Sequence, residues 1–302
     1  MLFLFNFVLN NIFVSLHINS ILCYNINMGG KIKISKEELI NLYYNKKRST
    51  NKIALIYNCS SATIQNRLKE YNMKPLNRSI IQSKYTKKDF SGDNNEKAYI
   101  SGFRLGDLNV YKTSSHSKVT VIRCNTTDNN QIRLIKKLFG KYGHVTCSQG
   151  LKSFNVNCFL NDTFDFLLKK DLHCYNWINS GEDTQLAFIA GYVDAEANIG
   201  VYDGRARFKI DSYDKEIIDW LYIWCQKNFI LCPTPIKIGK EGQIYQKIFK
   251  YNRDVWRIRI SKMDSLYNFL EKIKPFVIHK RRLSHINKCL KNIDDRRSKK
   301  NN

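Results

Sequence analysis

Apolar and polar positions along the chain follow two kinds of pattern. Between residues 35 and 71 the apolar residues are spaced for three short helices. Ser35 followed by Glu38 gives a capping-box signal at the head of "KEELINLYYNKK". In "STNKIALIYNCSSATIQNRLKEY", Ala54 is small where two helices must cross, and Asn58 tolerates a left-handed turn. Ile64 and Leu68 then follow at core-facing spacing. This is the spacing of a helix-turn-helix, whose second helix, about 61–71, is capped by Ser60 or Ser61. Its candidate groove-facing residues are Ser61, Thr63, Gln65, Asn66 and Arg67. Pro75 closes the module, and a basic, partly extended linker follows over 76–95.

From residue 96 a second pattern begins, and it occurs twice. One copy opens "EKAYISGFRLGDLNVYKTSSHSKV" and the other "TQLAFIAGYVDAEANIGVYDGRARFKI". Each runs short helix, acidic residue, two alternating strand-like runs joined by a turn, amphipathic helix, two more strands and a closing helix. The first hairpin spans about 109–124 across "SSHS". The second spans about 198–211 across Asp203-Gly204, a strong hairpin turn signal. In the first copy "DTFDFLLKK" is expected to supply the closing helix. Fold class is therefore α+β: a pseudo-twofold pair of αββαββα halves, residues 96–180 and 181–302, behind a small all-α domain at 31–75.

Within each opening helix the small residues share one face: Gly102 and Gly106 in the first copy, and Ala187, Gly191 and Ala195 in the second. Such ridges let two helices approach backbone to backbone. Asp107 and Glu196 hold equivalent places, 89 positions apart, at the helix C-termini. There the macrodipole is already negative and a carboxylate is disfavoured. Breaking that rule twice marks a functional site. If the helices pack side by side, the two acids meet and need a cation between them, for which Mg²⁺ suits hard oxygen ligands.

Charge sharpens this picture. The chain has 50 Lys and Arg against 26 Asp and Glu, net +24, spread along its length. A polyanionic partner follows, nucleic acid rather than a membrane surface. The nine cysteines are scattered without a CxxC pair, which excludes zinc-finger spacing and fits reduced thiols in an intracellular compartment, cytoplasm, nucleoid or organelle matrix. The apolar opening, residues 1–27, is interrupted by Asn6, Asn10, Asn11 and His17 and has no basic n-region. It reads as an extension ahead of Met28 rather than a membrane anchor.

The segments "ISGFRLGDL" (100–108) and "IAGYVDAEA" (189–197) resemble the paired motifs of single-chain LAGLIDADG homing endonucleases, over roughly residues 96–290. The resemblance implies that Asp107 and Glu196 are the metal-binding and catalytic acids, with Mg²⁺, or alternatively Mn²⁺, as cofactor. The motif's final position, glycine in the family, is Leu108 in one copy and Ala197 in the other. The resemblance also places a basic residue near the scissile phosphate. Lys280 in "KPFVIHKRRLSHI" matches it best, with Lys170 second. Two saddle-shaped sheets are expected to straddle double-stranded DNA over a long, partly degenerate target. Candidate DNA-facing residues are Asn109, Tyr111, Lys112, His116, Lys118 and Arg123 in the first copy, and Asn198, Tyr202, Arg205, Arg207 and Lys209 in the second. A one-residue slip would invert each alternation. The expected activity is site-specific, metal-assisted phosphodiester hydrolysis by a monomer. The alternatives are a non-cleaving DNA-binding regulator on the same scaffold and a maturase acting on intron RNA.

Overall fold

The computed structural model describes residues 32–76, 85–245 and 249–301. The apolar opening and the middle of the linker lie outside these. The described residues form two compact units, one within Met1–Lys84 and one within Tyr85–Asn302.

In the smaller unit, α1 (Lys36–Ile40) runs on through a π-helical turn (Asn41–Asn45) and is followed by α2 (Thr50–Ile56) and α3 (Ser61–Glu70). A serine caps each helix. Ser35, Ser49 and Ser60 accept hydrogen bonds from the backbone N–H groups of Glu38, Lys52 and Thr63. Ser60 is thus the cap of α3, while Ser61 donates to Thr50 Oγ1 at 2.9 Å and ties α3 to the head of α2. Asn58 turns the chain between them at φ 49°. Ile53, Ala54, Ile64 and Leu68 pack with Leu39 and Tyr43 into the unit's own core.

The larger unit opens with α4 (Asn94–Asp107), β1 (Asn109–Lys112), β2 (Val119–Thr126), α5 (Asn129–Phe139), β3 (His144–Gln149) and β4 (Phe154–Asn161). The second half runs α6 (Glu182–Glu196), β5 (Asn198–Tyr202), β6 (Arg205–Ser212), α7 (Lys215–Lys227) and β7 (Ile236–Gly239). A short ribbon of β8 (Ile244–Tyr245) and β9 (Phe249–Lys250) precedes β10 (Val255–Ile260), α8 (Met263–Ile273) and the long α9 (Lys280–Asn301). The antiparallel sheets have equivalent orders, β1-β2-β4-β3 and β5-β6-β10-β7. Asp203 and Gly204, at φ 51° and 70°, make the two-residue turn between β5 and β6.

One expectation is corrected. The segment "DTFDFLLKK" is not an α-helix but a 3₁₀ turn, Asp162–Leu167, followed by a second, kinked 3₁₀ stretch, Leu172–Ser180. Its buried residues, Phe164 and Leu167, stand three apart, and a three-residue turn stacks that spacing on one face.

Both halves share one hydrophobic core, with α4 and α6 packed through its centre. A Cβ on Gly102 would stand 2.1 Å from the Phe188 carbonyl oxygen and 2.9 Å from the Tyr192 nitrogen. A Cβ on Gly191 would stand 2.0 Å from the Tyr99 carbonyl oxygen and 2.9 Å from the Phe103 nitrogen. The contact is reciprocal and backbone to backbone, so any side chain at either glycine forces the helices apart.

A candidate paired-carboxylate site beside two sheet faces

Each central helix passes into its first strand through a single residue. Leu108 (φ −102°, ψ 137°) follows α4 and Ala197 (φ −72°, ψ 144°) follows α6. Both conformations are ordinary extended backbone, and both side chains are buried. Neither position needs glycine, and neither side chain faces out of the core. The last helical residues are Asp107 and Glu196. A Cβ on Gly106 would stand 2.4 Å from Ala195 Cβ and 3.2 Å from Glu196 Oε1, so the helix ends converge.

Convergence and burial act on the acids' protonation. Burial pushes Asp107 up to about 6, against a hydrogen bond from Gln131 and the charges of Arg282 and Lys170. Burial pushes Glu196 up to about 7; the Asp107 charge adds to the rise, while Lys170 and Arg282 oppose it. Two carboxylates made reluctant to ionise by burial, one of them also by the other's charge, are a donor set that a divalent cation relieves. The residues therefore fit a hard metal ion such as Mg²⁺. One other cluster with metal-ligating groups occurs among the described residues, Asp171, His173 and Glu216, all exposed. Asp171 there accepts the His173 backbone N–H and so caps a 3₁₀ turn.

Buried polar groups missed by sequence reasoning hold the acids in place. Arg104, inside α4, donates from Nε to the Leu167 carbonyl at 3.0 Å and also bonds the Leu108 carbonyl. A cation thus sits at the helix C-terminus and offsets the cost of ending on a carboxylate. Asp194, two residues before the end of α6, accepts from Tyr99 Oη and from the backbone N–H groups of Ile278 and His279 at 2.9 Å. Burial raises it to about 6, partly countered by those donors. The charged letters inside otherwise apolar helices, Arg104 and Asp194, were the available signals.

The segment ending each half crosses to the other. Lys170 pairs with Asp214 at 3.4 Å, and Arg281 pairs with Asp128 at 3.0 Å. Arg282 lies beside Arg281 with its Nε buried and without a hydrogen-bond partner among the described residues. Lys170 and Arg282 are the cations whose charges reach both acids. Lys280, expected in this role, instead opens α9 on an exposed face with Leu283, Ser284 and Asn287. The helix phase carries Arg282, two positions on, toward the acids.

The register settles which strand residues share a face. Asn109 is opposite Arg123, which is opposite Asn157, and Arg123 Nε donates to Asn157 Oδ1 at 3.0 Å. Tyr111 lies on the same face, its ring 5.5 Å from the Arg123 guanidinium. Lys112 does not: it pairs with Asp165 at 2.5 Å in the 3₁₀ turn on the sheet's other side, and Lys118, ahead of β2, pairs with Asp162 of the same turn at 3.0 Å. Lys112 is corrected, because alternation from Asn109 turns it to that side, whereas Lys118 stands just before β2 and stays exposed beside Asp162. His116 is exposed in the connecting turn. In the second sheet Asn198, Tyr202, Arg205, Arg207 and Lys209 all alternate with inward-facing Ile199, Ala206, Phe208 and Ile210. On α3, Gln65 and Asn66 are exposed and Thr63 is half-buried. Arg67 is committed elsewhere, donating to the Ile32 carbonyl at 2.8 Å and pairing with Glu70.

No protein-family model matches the chain. A curated relative, an uncharacterized protein of Methanocaldococcus jannaschii, is 24% identical over 210 residues, covering 66% of this chain and 73% of its own. Among solved structures, the chain is similar to the homing endonuclease I-DmoI in complex with DNA and calcium. The identity is 15% and the TM-score 0.45, over 64% of this chain and 97% of that one. It is also similar to the homing endonuclease I-WcaI bound to its DNA recognition sequence, at 15% identity and TM-score 0.42, over 63% and 86% of the two chains. Among the described residues no helix is long and apolar enough to cross a membrane.

Proposed function

We propose that the protein is a site-specific double-strand DNA endonuclease of the LAGLIDADG homing type, acting as a monomer on a long target. The observation that carries the reading is the meeting of Asp107 and Glu196 at the ends of two helices in backbone contact, with both acids raised to about 6 and 7. Asp107 and Glu196 would hold the metal, magnesium or manganese. When bound, it supplies Lewis-acid charge at the phosphate and acidifies water. Gln131 orients Asp107 by donating from Nε2 to Oδ2 at 2.6 Å. Lys170 and Arg282 supply fixed positive charge where a pentavalent phosphate would gather negative charge. The two open sheet faces, with Asn109, Tyr111 and Arg123 on one and Asn198, Tyr202, Arg205, Arg207 and Lys209 on the other, address the major groove. In the smaller unit, α3 acts as the second helix of a helix-turn-helix and presents Thr63, Gln65 and Asn66 to DNA.

The test is incubation with a DNA fragment spanning the chain's own locus with its coding insert removed, plus Mg²⁺. A staggered double-strand cut, abolished by Asp107→Asn and by Glu196→Gln, is expected. Specific binding without a cut in either Mg²⁺ or Mn²⁺ would overturn the nuclease in favour of a DNA-binding regulator.

A further inference from the structure

The two open faces carry different chemistry. On the first sheet Asn109 and Asn157 flank Arg123, and Asn125 stands opposite Asn155. Four carboxamides thus accompany one guanidinium, and that guanidinium is held by Asn157 and stacked on Tyr111. On the second sheet Arg205, Arg207 and Lys209 alternate along β6, and Arg257 and Arg259 extend the same face on β10, opposite Asp211 and Lys209. Asp211 takes both Nε and an Nη of Arg257, at 2.5 and 2.7 Å, with Lys209 at 3.4 Å, and the exposed Asp203 takes Arg207 at 3.1 Å, so two carboxylates stand against these five cations and the face stays net positive. The sequence reading passed over Arg257 and Arg259, because "DVWRIRIS" gives a strand without saying which sheet neighbour it joins.

A carboxamide presents a donor and an acceptor side by side, which matches N7 and N6 of adenine. Arginine and lysine match O6 and N7 of guanine, and they also hold phosphates, which is the salt-dependent part of binding. Building on the nuclease reading above, we infer that the target is chemically lopsided. The half-site under the first sheet is adenine-rich and read by amides. The half-site under the second sheet contains guanines and is gripped by cations that supply most of the salt dependence.

Selection of the full-length protein against random duplex DNA, with Ca²⁺ present, tests this. The expected result is one half-site enriched in A·T pairs and the other in G·C pairs. The Asn125→Ala/Asn155→Ala variant should lose enrichment only in the A·T half. Arg205→Ala/Arg207→Ala should lose it only in the G·C half and lower the slope of log K against log salt by about 2. Replacing the same two arginines by lysine should restore the slope but not the guanine preference. If DNA is selected but both halves respond alike to both variants, the lopsided target is overturned and the nuclease reading stands. If no DNA sequence is enriched, both fall.

Discussion

The two halves share a strand order but treat their acids differently. Asp107 is hydrogen-bonded by Gln131, itself bonded by Thr126, and its helix end is neutralised by Arg104. The matching positions of the second half are apolar: Val193 stands for Arg104 and Ile217 for Gln131, with both side chains buried. Glu196 has neither support and sits higher, at about 7 against about 6. In exchange the second half holds the buried carboxylate of Asp194, where the first has Leu105. Duplicated topology thus fixes where a carboxylate is delivered, and its individual surroundings fix how readily it ionises.

The strongest way to break the comparison is to remove one acid. Glu196→Gln and Asp107→Asn are each expected to lower DNA cleavage by ~10²-fold or more, an electrostatic loss of the usual size for such sites. Each should also raise the stability of the metal-free protein, because a repelling buried charge is gone. Denaturant unfolding in a chelator, beside a plasmid-cleavage assay, reads both. If activity and stability fall together, the acids are structural.

The ridge between the halves comes next. Gly191→Ala puts a methyl 2.0 Å from a backbone oxygen and is expected to cost ~3 kcal/mol, and Gly102→Ala a similar amount, measured by urea unfolding. An unchanged midpoint in either would show that the helices do not touch there.

Proton linkage separates the acids more gently. Both have folded values above their unfolded ones, so the folded state holds more protons than the unfolded state between about 4 and 7. Stability from these groups is therefore full at low pH and is lost as pH rises through the folded values. Metal-free wild type should fall behind Glu196→Gln as pH rises from about 4.5 to about 7, and the gap should level off at ~3 kcal/mol. Added Mg²⁺ should close much of it. A gap independent of pH sinks the assignment.

The smallest change makes the halves alike. Gln131→Ile removes the amide from Asp107 and should raise its pKa toward that of Glu196, followed by carboxyl chemical shifts across a pH titration. The hydrogen bond is worth about 1–2 kcal/mol.

The order of elements along each half, the glycine ridge and the placing of the two acids at helix ends were legible because each rests on local spacing. Gly102 and Gly191 announce a close helix pair by size alone, and the Asp203-Gly204 turn fixes a hairpin. What stayed hidden depends on side chains from distant sequence. Lys112 looked like a DNA ligand until Asp165 claimed it from the sheet's other side. Arg282 could not be told from Lys280, because the phase of α9 is set by Asp194 holding Ile278 and His279. The α-helix expected over "DTFDFLLKK" failed for a local reason, because Phe164 and Leu167 stand three apart, the spacing a 3₁₀ turn stacks on one face.

The reciprocal packing of α4 on α6 also has a consequence for how the chain is made. Tyr99 finds its partner Asp194 only 95 positions later. At ribosomal speeds of about 5–20 residues per second, the nascent first half waits roughly 5–20 s with its seam uncovered. A chain stopped at residue 180 would keep that seam bare for good and is expected to aggregate, whereas the same fragment co-expressed with 181–302 should be rescued. The feature that brings two carboxylates together thus also makes the protein a single birth, its first half dependent on a second not yet synthesised.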